Sequence, residues 1–217
     1  AHNLNSDSDF TDTGESDETN TFNLPNELKT RDIKSDASLV YSPIYDKNGN
    51  LTDDGDDYTY VYDAFGRTKQ VKNRSGGAVV AEYSYNGLGF RVGWHYDGDA
   101  DGDVDSSDPW FWFCYDESWR QVGTFRDTDS NPKEIFVHHL AGLGGYGGSS
   151  YIDSVILRDR DANTAWKSAA DSTREERRYY CQNWRSDVSA LLTSDGKMVE
   201  WIKYSSYGIP YALPAGD

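Results

Sequence analysis

The feature that most constrains this chain is a short segment that recurs along it. Each copy has an aromatic residue, then Asp or Asn, a few small or polar residues, Gly or Asn, and shortly afterwards an aliphatic or similar residue. Four copies follow this order, and a looser fifth comes after them: Phe22–Leu28, Tyr45–Leu51, Tyr62–Thr68, Tyr85–Val92 and Tyr115–Val122. Internal repeats of this kind predict an array of similar structural units.

Each repeat has the residue pattern of a β-hairpin. Residues 58–62, Tyr-Thr-Tyr-Val-Tyr, alternate as a strand does when its aromatic side chains share one face. Asp63 can accept backbone N–H groups and begin a turn, and Gly66 allows positive φ at little steric cost. The pattern therefore predicts hairpin turns at three glycines: Gly49, Gly66 and Gly89.

The composition favours a broad sheet over a helical bundle. Hydrophobic residues make up only 36% of the 217 residues, whereas aromatic residues make up 14%, so Tyr and Trp must supply much of the buried area. The predicted fold is mainly β, with antiparallel hairpins forming a spiralling or twisted sheet or an open barrel and at most one short helix. The best candidate for that helix is residues 163–178, which lack Gly and Pro.

The formal net charge of -16 limits the possible partners. An acidic surface repels phosphates, so we expect neither nucleic acid nor an anionic membrane as a partner. No apolar run is long enough to span a bilayer. Residues 1–21 form an acidic leader rich in Ser and Thr, and we expect a partner to order it because its composition is typical of disorder.

A calcium-binding loop is the clearest chemical motif. Acidic residues occupy loop positions one, three, five, seven, nine and twelve: Asp97, Asp99, Asp101, Asp103, Asp105 and Asp108. Gly102 stands at position six, where an EF-hand loop turns sharply. Ca²⁺ takes about six to eight oxygen ligands, and this spacing can wrap carboxylates around one ion. We expect Asp103 to offer its backbone carbonyl and Asp105 to bind directly or through water.

The surroundings of this loop differ from those of a complete EF-hand. Asp at the last position resembles the calcium loops of dockerin modules, which continue into a helix. Here residues 109–115 read as a strand, so the loop is predicted to lie between two strands. The alternative is a solvated acidic linker, as blocks of like charge usually are.

Several segments together resemble YD-repeat (RHS-repeat) proteins. Residues 60–67 are similar to the YD-repeat motif, and residues 179–191 resemble the core-associated segment of that family. Residues 151–159, 195–200 and 204–210 fit the same order. The resemblance implies a spiralling β-sheet, which in long members closes into a shell around a toxin or forms a barrel on cell-surface proteins. This chain is too short to close a shell alone.

These features predict four regions along the chain. The acidic leader covers residues 1–21, and YD repeats cover 22–96. The calcium loop is inserted at 97–108, and further YD-type strands with the core-associated region cover 109–217.

Other apparent signals carry less weight. Residues 142–147 fit the GxGxxG pattern, but a β-like segment follows where a dinucleotide site needs a helix. His138 and His139 would point to opposite faces of a strand, so they cannot converge on one ion. Cys114 and Cys181 could form one disulfide or remain two buried thiols.

The sequence therefore favours a structural role over catalysis. We expect a non-enzymatic, secreted or cell-surface protein that assembles with copies of itself into a filament or scaffold stabilised by calcium. The alternative is a fragment of an RHS-type shell or cell-surface module that binds glycans or proteins, or encloses a toxin. Residues 50–52 and 73–75 also fit the acceptor pattern for N-glycosylation.

Overall fold

The chain folds into β-strands joined by turns. A computed structural model describes residues 18–33, 40–139, 155–183, 187–204 and 210–214. These ranges contain 17 strands and no helix, which confirms the mainly β prediction. No element within them could cross a membrane as an apolar helix.

Most strands are five to seven residues long. The first nine are β1 (Glu18–Phe22), β2 (Leu28–Ile33), β3 (Val40–Tyr41), β4 (Ile44–Tyr45), β5 (Leu51–Asp53), β6 (Tyr58–Tyr62), β7 (Thr68–Asn73), β8 (Val79–Tyr85) and β9 (Arg91–Tyr96). The others are β10 (Trp110–Tyr115), β11 (Gln121–Arg126), β12 (Glu134–His138), β13 (Val155–Arg160), β14 (Glu176–Gln182), β15 (Val188–Leu192), β16 (Met198–Tyr204) and β17 (Pro210–Pro214).

The strands pair in chain order. Strands β1 to β3 form a three-stranded sheet, and β4 to β17 follow one another in a 14-stranded sheet. The pairs with a defined register are antiparallel, as between β6 and β7, where Tyr60 lies opposite Val71. By internal contacts the chain divides into two compact units. The first unit comprises residues 1–84 and 95–108, and the second comprises 85–94 and 109–217.

The hairpin turns occur where the repeats predict them. Gly49, Gly66 and Gly89 have φ of +83°, +75° and +91°. In the turn at Gly66, the Asp63 carboxylate accepts the backbone N–H groups of Phe65 and Arg67 at 2.8 and 3.0 Å. The Arg67 guanidinium, which donates to that carboxylate at 2.6 Å, is the main cause of a lowered Asp63 pKa. The sequence prediction of these turns is confirmed.

In the second unit, a fully buried phenylalanine packs against a loop that the sequence pattern predicted to be a helix. Phe111 is 0% exposed and stacks on Trp166 with ring centroids 5.1 Å apart. The helix predicted for residues 163–178 is wrong, because this segment is a loop up to residue 175 followed by β14. Asp161 accepts the backbone N–H of Thr164 at 3.1 Å, and Lys133 Nζ donates to Asp161 and Thr164. These tertiary contacts compete with the helix that the local composition favours.

The structure also bears on the predictions for the two cysteines, the acidic leader and His138. Cys114 and Cys181 are free and exposed, so they form neither a disulfide nor a pair of buried thiols. Part of the predicted leader forms β1, which pairs with β2 of the same chain, while residues 1–17 lie outside the described residues. The glycine-rich segment 142–147 also lies outside them. His138 is 8% exposed and is hydrogen-bonded to the Gln121 carbonyl.

Candidate metal centre

The acidic loop connects two strands of the larger sheet. It follows β9, and β10 begins at Trp110, so the predicted position between two strands is confirmed. Two backbone bonds fix the loop to β8: Asp97 N donates to Val80 O at 3.0 Å, and Val104 N donates to Val79 O at 2.7 Å. The loop is therefore anchored to the sheet at both its beginning and its middle.

The six predicted ligands form two carboxylate groups. Asp97, Asp99 and Asp108 each bring one oxygen within 4.8 Å of the others, and Asp108 is buried. A second group of the same size contains three exposed side chains: Asp101, Asp103 and Asp105. The folded loop therefore contains all six predicted ligands, but it arranges them in two groups of three.

Backbone amides hold the carboxylates at the beginning and end of the loop. Asp97 accepts the N–H groups of Asp101 and Gly102 at 3.2 and 3.0 Å. Asp108 accepts the N–H groups of Gly98 and Asp105 at 2.8 and 3.3 Å. Gly102 has φ of +108°, as a sharp turn at position six requires. These bonds orient the two carboxylates without using a positive side chain.

The pKa of Asp103 is raised by desolvation together with the negative charge of the loop. Desolvation and then the neighbouring carboxylates, Asp101 first, raise this pKa above its ordinary value. Hydrogen bonds from Ser107 lower the pKa of Asp105. A group whose ionised form is disfavoured by its neighbours is one that a nearby cation would stabilise.

Sequence reasoning missed two residues that support the loop. Ser107 Oγ donates to Asp99 at 3.0 Å and to Asp105 at 2.8 Å, which links the two carboxylate groups. His95 Nε2 is 3.0 Å from the carbonyl oxygen of Asp108 and is buried. One of two adjacent serines within an acidic run and a lone His on a strand gave no recognisable signal before the tertiary structure was known.

The donor set fits a hard divalent cation. All six side chains offer carboxylate oxygens, which Ca²⁺ prefers, and no lysine or arginine lies among residues 97–108. The division into two groups differs from the single cluster that the sequence predicted. In particular, the side chain of Asp103 lies with Asp101 and Asp105, although only its backbone carbonyl was expected to bind.

Comparison by sequence gives no relative. No protein-family model matches the chain, and no curated protein matches it.

Comparison by structure finds the same fold in toxin-complex proteins. A chain of the Photorhabdus luminescens Tc holotoxin pore with mutant TccC3 aligns with a TM-score of 0.52 at 14% identity. The crystal structure of TcdB2-TccC3 aligns with a TM-score of 0.53, also at 14% identity. Both alignments cover 92% of this chain but 10% of the other chain. This chain therefore spans about a tenth of the length of these proteins, and at this identity the likeness establishes the fold alone.

Proposed function

We propose that this chain is a non-catalytic structural segment of a larger extracellular β-wall of the RHS type, associated with a toxin complex. The likeness to toxin-complex chains over 92% of its length supports this proposal, as does the similarity of residues 60–67 to the YD-repeat motif. Its strands follow one another in chain order, an arrangement that further repeats of the same kind could extend.

Calcium fixes the Asp97–Asp108 loop within this wall. The observation that carries this assignment is the pair of three-carboxylate groups in one loop anchored to β8. Without a cation, the carboxylates repel one another, and this repulsion adds to desolvation in raising the pKa of Asp103. A bound Ca²⁺ removes that repulsion and stabilises the folded state by linkage, by about 2.7 kcal/mol when its free concentration is 100 times Kd.

Calorimetric titration of the full chain with Ca²⁺ tests this assignment. The chelator-treated protein should bind Ca²⁺ at the loop, and its unfolding midpoint should rise with Ca²⁺ concentration. Asp97→Asn should abolish both effects, because Asp97 shares a carboxylate group with the buried Asp108 and organises the first turn of the loop. Binding by the variant with unchanged affinity would contradict the proposed ligand set.

A second acidic turn provides a matched control. Residues 53–57 also concentrate carboxylates in the first unit, and Asp56 has a pKa raised by burial and by its neighbours Asp57 and Asp54. Asp56→Asn removes the same charge from outside the loop and should leave Ca²⁺ binding intact. Equal loss of binding in Asp56→Asn and Asp97→Asn would mean that net charge, and not the loop, attracts the ion.

Self-assembly through sheet edges is a second candidate function. Strands β4 and β17 stand at the two ends of the strand order, and an edge strand can add a strand from another chain. Sedimentation of the calcium-loaded chain over a range of concentrations tests this. Growth into large particles would support assembly into a filament. A monodisperse monomer would instead favour a structural segment of a larger protein that does not assemble with copies of itself.

An extracellular location and N-glycosylation belong to the same proposal. Asn73 is the better acceptor, because the amide nitrogen of Asn50 already donates to Asp46 at 2.8 Å. That bond uses one of the two amide hydrogens of Asn50 and holds the amide against Asp46, so only the other hydrogen is available for replacement by a glycan. Expression in a glycosylating host followed by peptide mass spectrometry should find any glycan at Asn73, and modification at Asn50 alone would contradict this preference.

A further inference from the structure

A largely apolar cavity lies within the second unit, away from the acidic loop. Its volume is about 320 Å³. Four aromatic rings line it together with an imidazole and an aliphatic side chain: Phe90, Tyr115, Trp119, Phe136, His138 and Val155. Cavities that bind small ligands are lined in this way, mainly by hydrophobic and aromatic side chains.

Trp119 is the most unusual of these lining residues. It has φ of +60°, in the left-handed region that disfavours residues with a side chain. Corresponding positions in other turns carry asparagine once, at Asn26, and otherwise glycine: Gly49, Gly66, Gly89 and Gly196. Retaining a tryptophan under backbone strain is typical of functional sites.

Stacking holds the Trp119 ring in place. It lies nearly parallel to Phe90, with an interplanar angle of 7° and ring centroids 4.3 Å apart. Tyr115 completes this aromatic wall, with its ring centroid 6.3 Å from that of Trp119. The wall thus contains two stacked rings and a third tilted against them.

Two polar groups beside the cavity have partners within the protein, whereas Nδ1 of His138 is buried with no partner among the described residues. His138 Nε2 donates to the Gln121 carbonyl at 2.7 Å, and the Tyr115 hydroxyl donates to the Arg91 carbonyl at 2.6 Å. Burial raises the pKa of Tyr115. An environment that disfavours the ionised phenol also disfavours a charged ligand.

We propose that this cavity binds a small, uncharged molecule with a planar aromatic ring. A cavity of about 150 Å³ can hold benzene, so a volume of about 320 Å³ suits one ring or two fused rings. The ligand ring packs against the wall of Trp119, Phe90 and Tyr115.

Indole is a suitable probe, with cyclohexanol as a non-planar control. Calorimetry on the full chain should detect saturable indole binding and much weaker binding of cyclohexanol. Trp119→Gly places in this turn the residue that similar turns carry and removes one ring of the wall. It should fold and bind indole about tenfold or more weakly, because an aromatic contact is lost.

Two further variants make the test decisive. Val155→Phe should reduce indole affinity by filling the cavity, independently of the turn at Trp119. Trp112→Ala should leave the affinity unchanged, because Trp112 is 38% exposed and does not line the cavity. Failure of the wild-type chain to bind indole, or binding by Trp119→Gly and Val155→Phe with the affinity of the wild type, would overturn the proposal.

Discussion

Gly55 offers a sharp test of how a short turn depends on tertiary packing. Its φ is +81°, and a Cβ atom at this position would lie 2.5 Å from the backbone nitrogen of Ser42 and 2.9 Å from its carbonyl carbon. Gly77 has nearly the same φ, +74°, but a Cβ there would meet no heavy atom within 4 Å. Gly55→Ala and Gly77→Ala therefore share the free-energy cost of a left-handed backbone, and only Gly55→Ala adds a steric clash.

The shared cost is the left-handed backbone conformation, about 1–2 kcal/mol for a residue with a side chain. Gly55→Ala adds a steric clash with a backbone that cannot rotate away, and overpacking of this kind costs about 1–3 kcal/mol. We expect Gly77→Ala to lower the free energy of unfolding by about 1–2 kcal/mol and Gly55→Ala by about 2–5 kcal/mol.

Urea unfolding followed by far-UV circular dichroism measures this difference. Tryptophan fluorescence does not suit these variants, because the seven tryptophans all lie in the second unit and both glycines lie in the first. The m-values should stay constant while the two midpoints separate. Equal midpoints for the two variants would refute the reasoning, since the contact between Gly55 and Ser42 would then add nothing.

Three further predictions concern the second unit. Trp166→Ala should lower the free energy of unfolding by about 2–3 kcal/mol, since a half-buried ring costs less to remove than the ~3–5 kcal/mol of a fully buried one; Trp112→Ala, measured by the same urea titration, should cost less. Lys133→Met should cost about 3–5 kcal/mol by leaving the buried Asp161 carboxylate without its cation, and a loss below that seen for Trp112→Ala would contradict this. The Arg120 guanidinium lowers the pKa of Asp116 below its ordinary value of 3.8. The stabilisation that the ionised Asp116 provides is therefore present at pH values above 3.8 and is lost as the pH falls through the lowered pKa. In Asp116→Asn the unfolding midpoint should fall less steeply on acidification than in the wild type, and identical pH profiles would count against the ion pair.

The sequence by itself determined the repeated hairpins. In the turn at Gly66, Asp63 bonds to backbone groups two and four residues later, so both the side chain and its partners lie within the same short segment. The alternation of residues 58–62 likewise needs only neighbouring residues to predict a strand. The position of the acidic loop between two strands followed from the aromatic segment after it, for the same local reason.

The tertiary structure alone decided which distant groups meet. Residues 163–175 have a local composition compatible with a helix, but the stacking of Trp166 on Phe111 and the bond from Lys133 to Asp161 connect residues far apart in the sequence. Local propensity is a weak preference that such packing overrides. The separation of the loop carboxylates into two groups depends on backbone bonds whose geometry the spacing does not specify. Trp119 adopts its left-handed conformation beside Phe90, a contact that no periodicity in the sequence predicts.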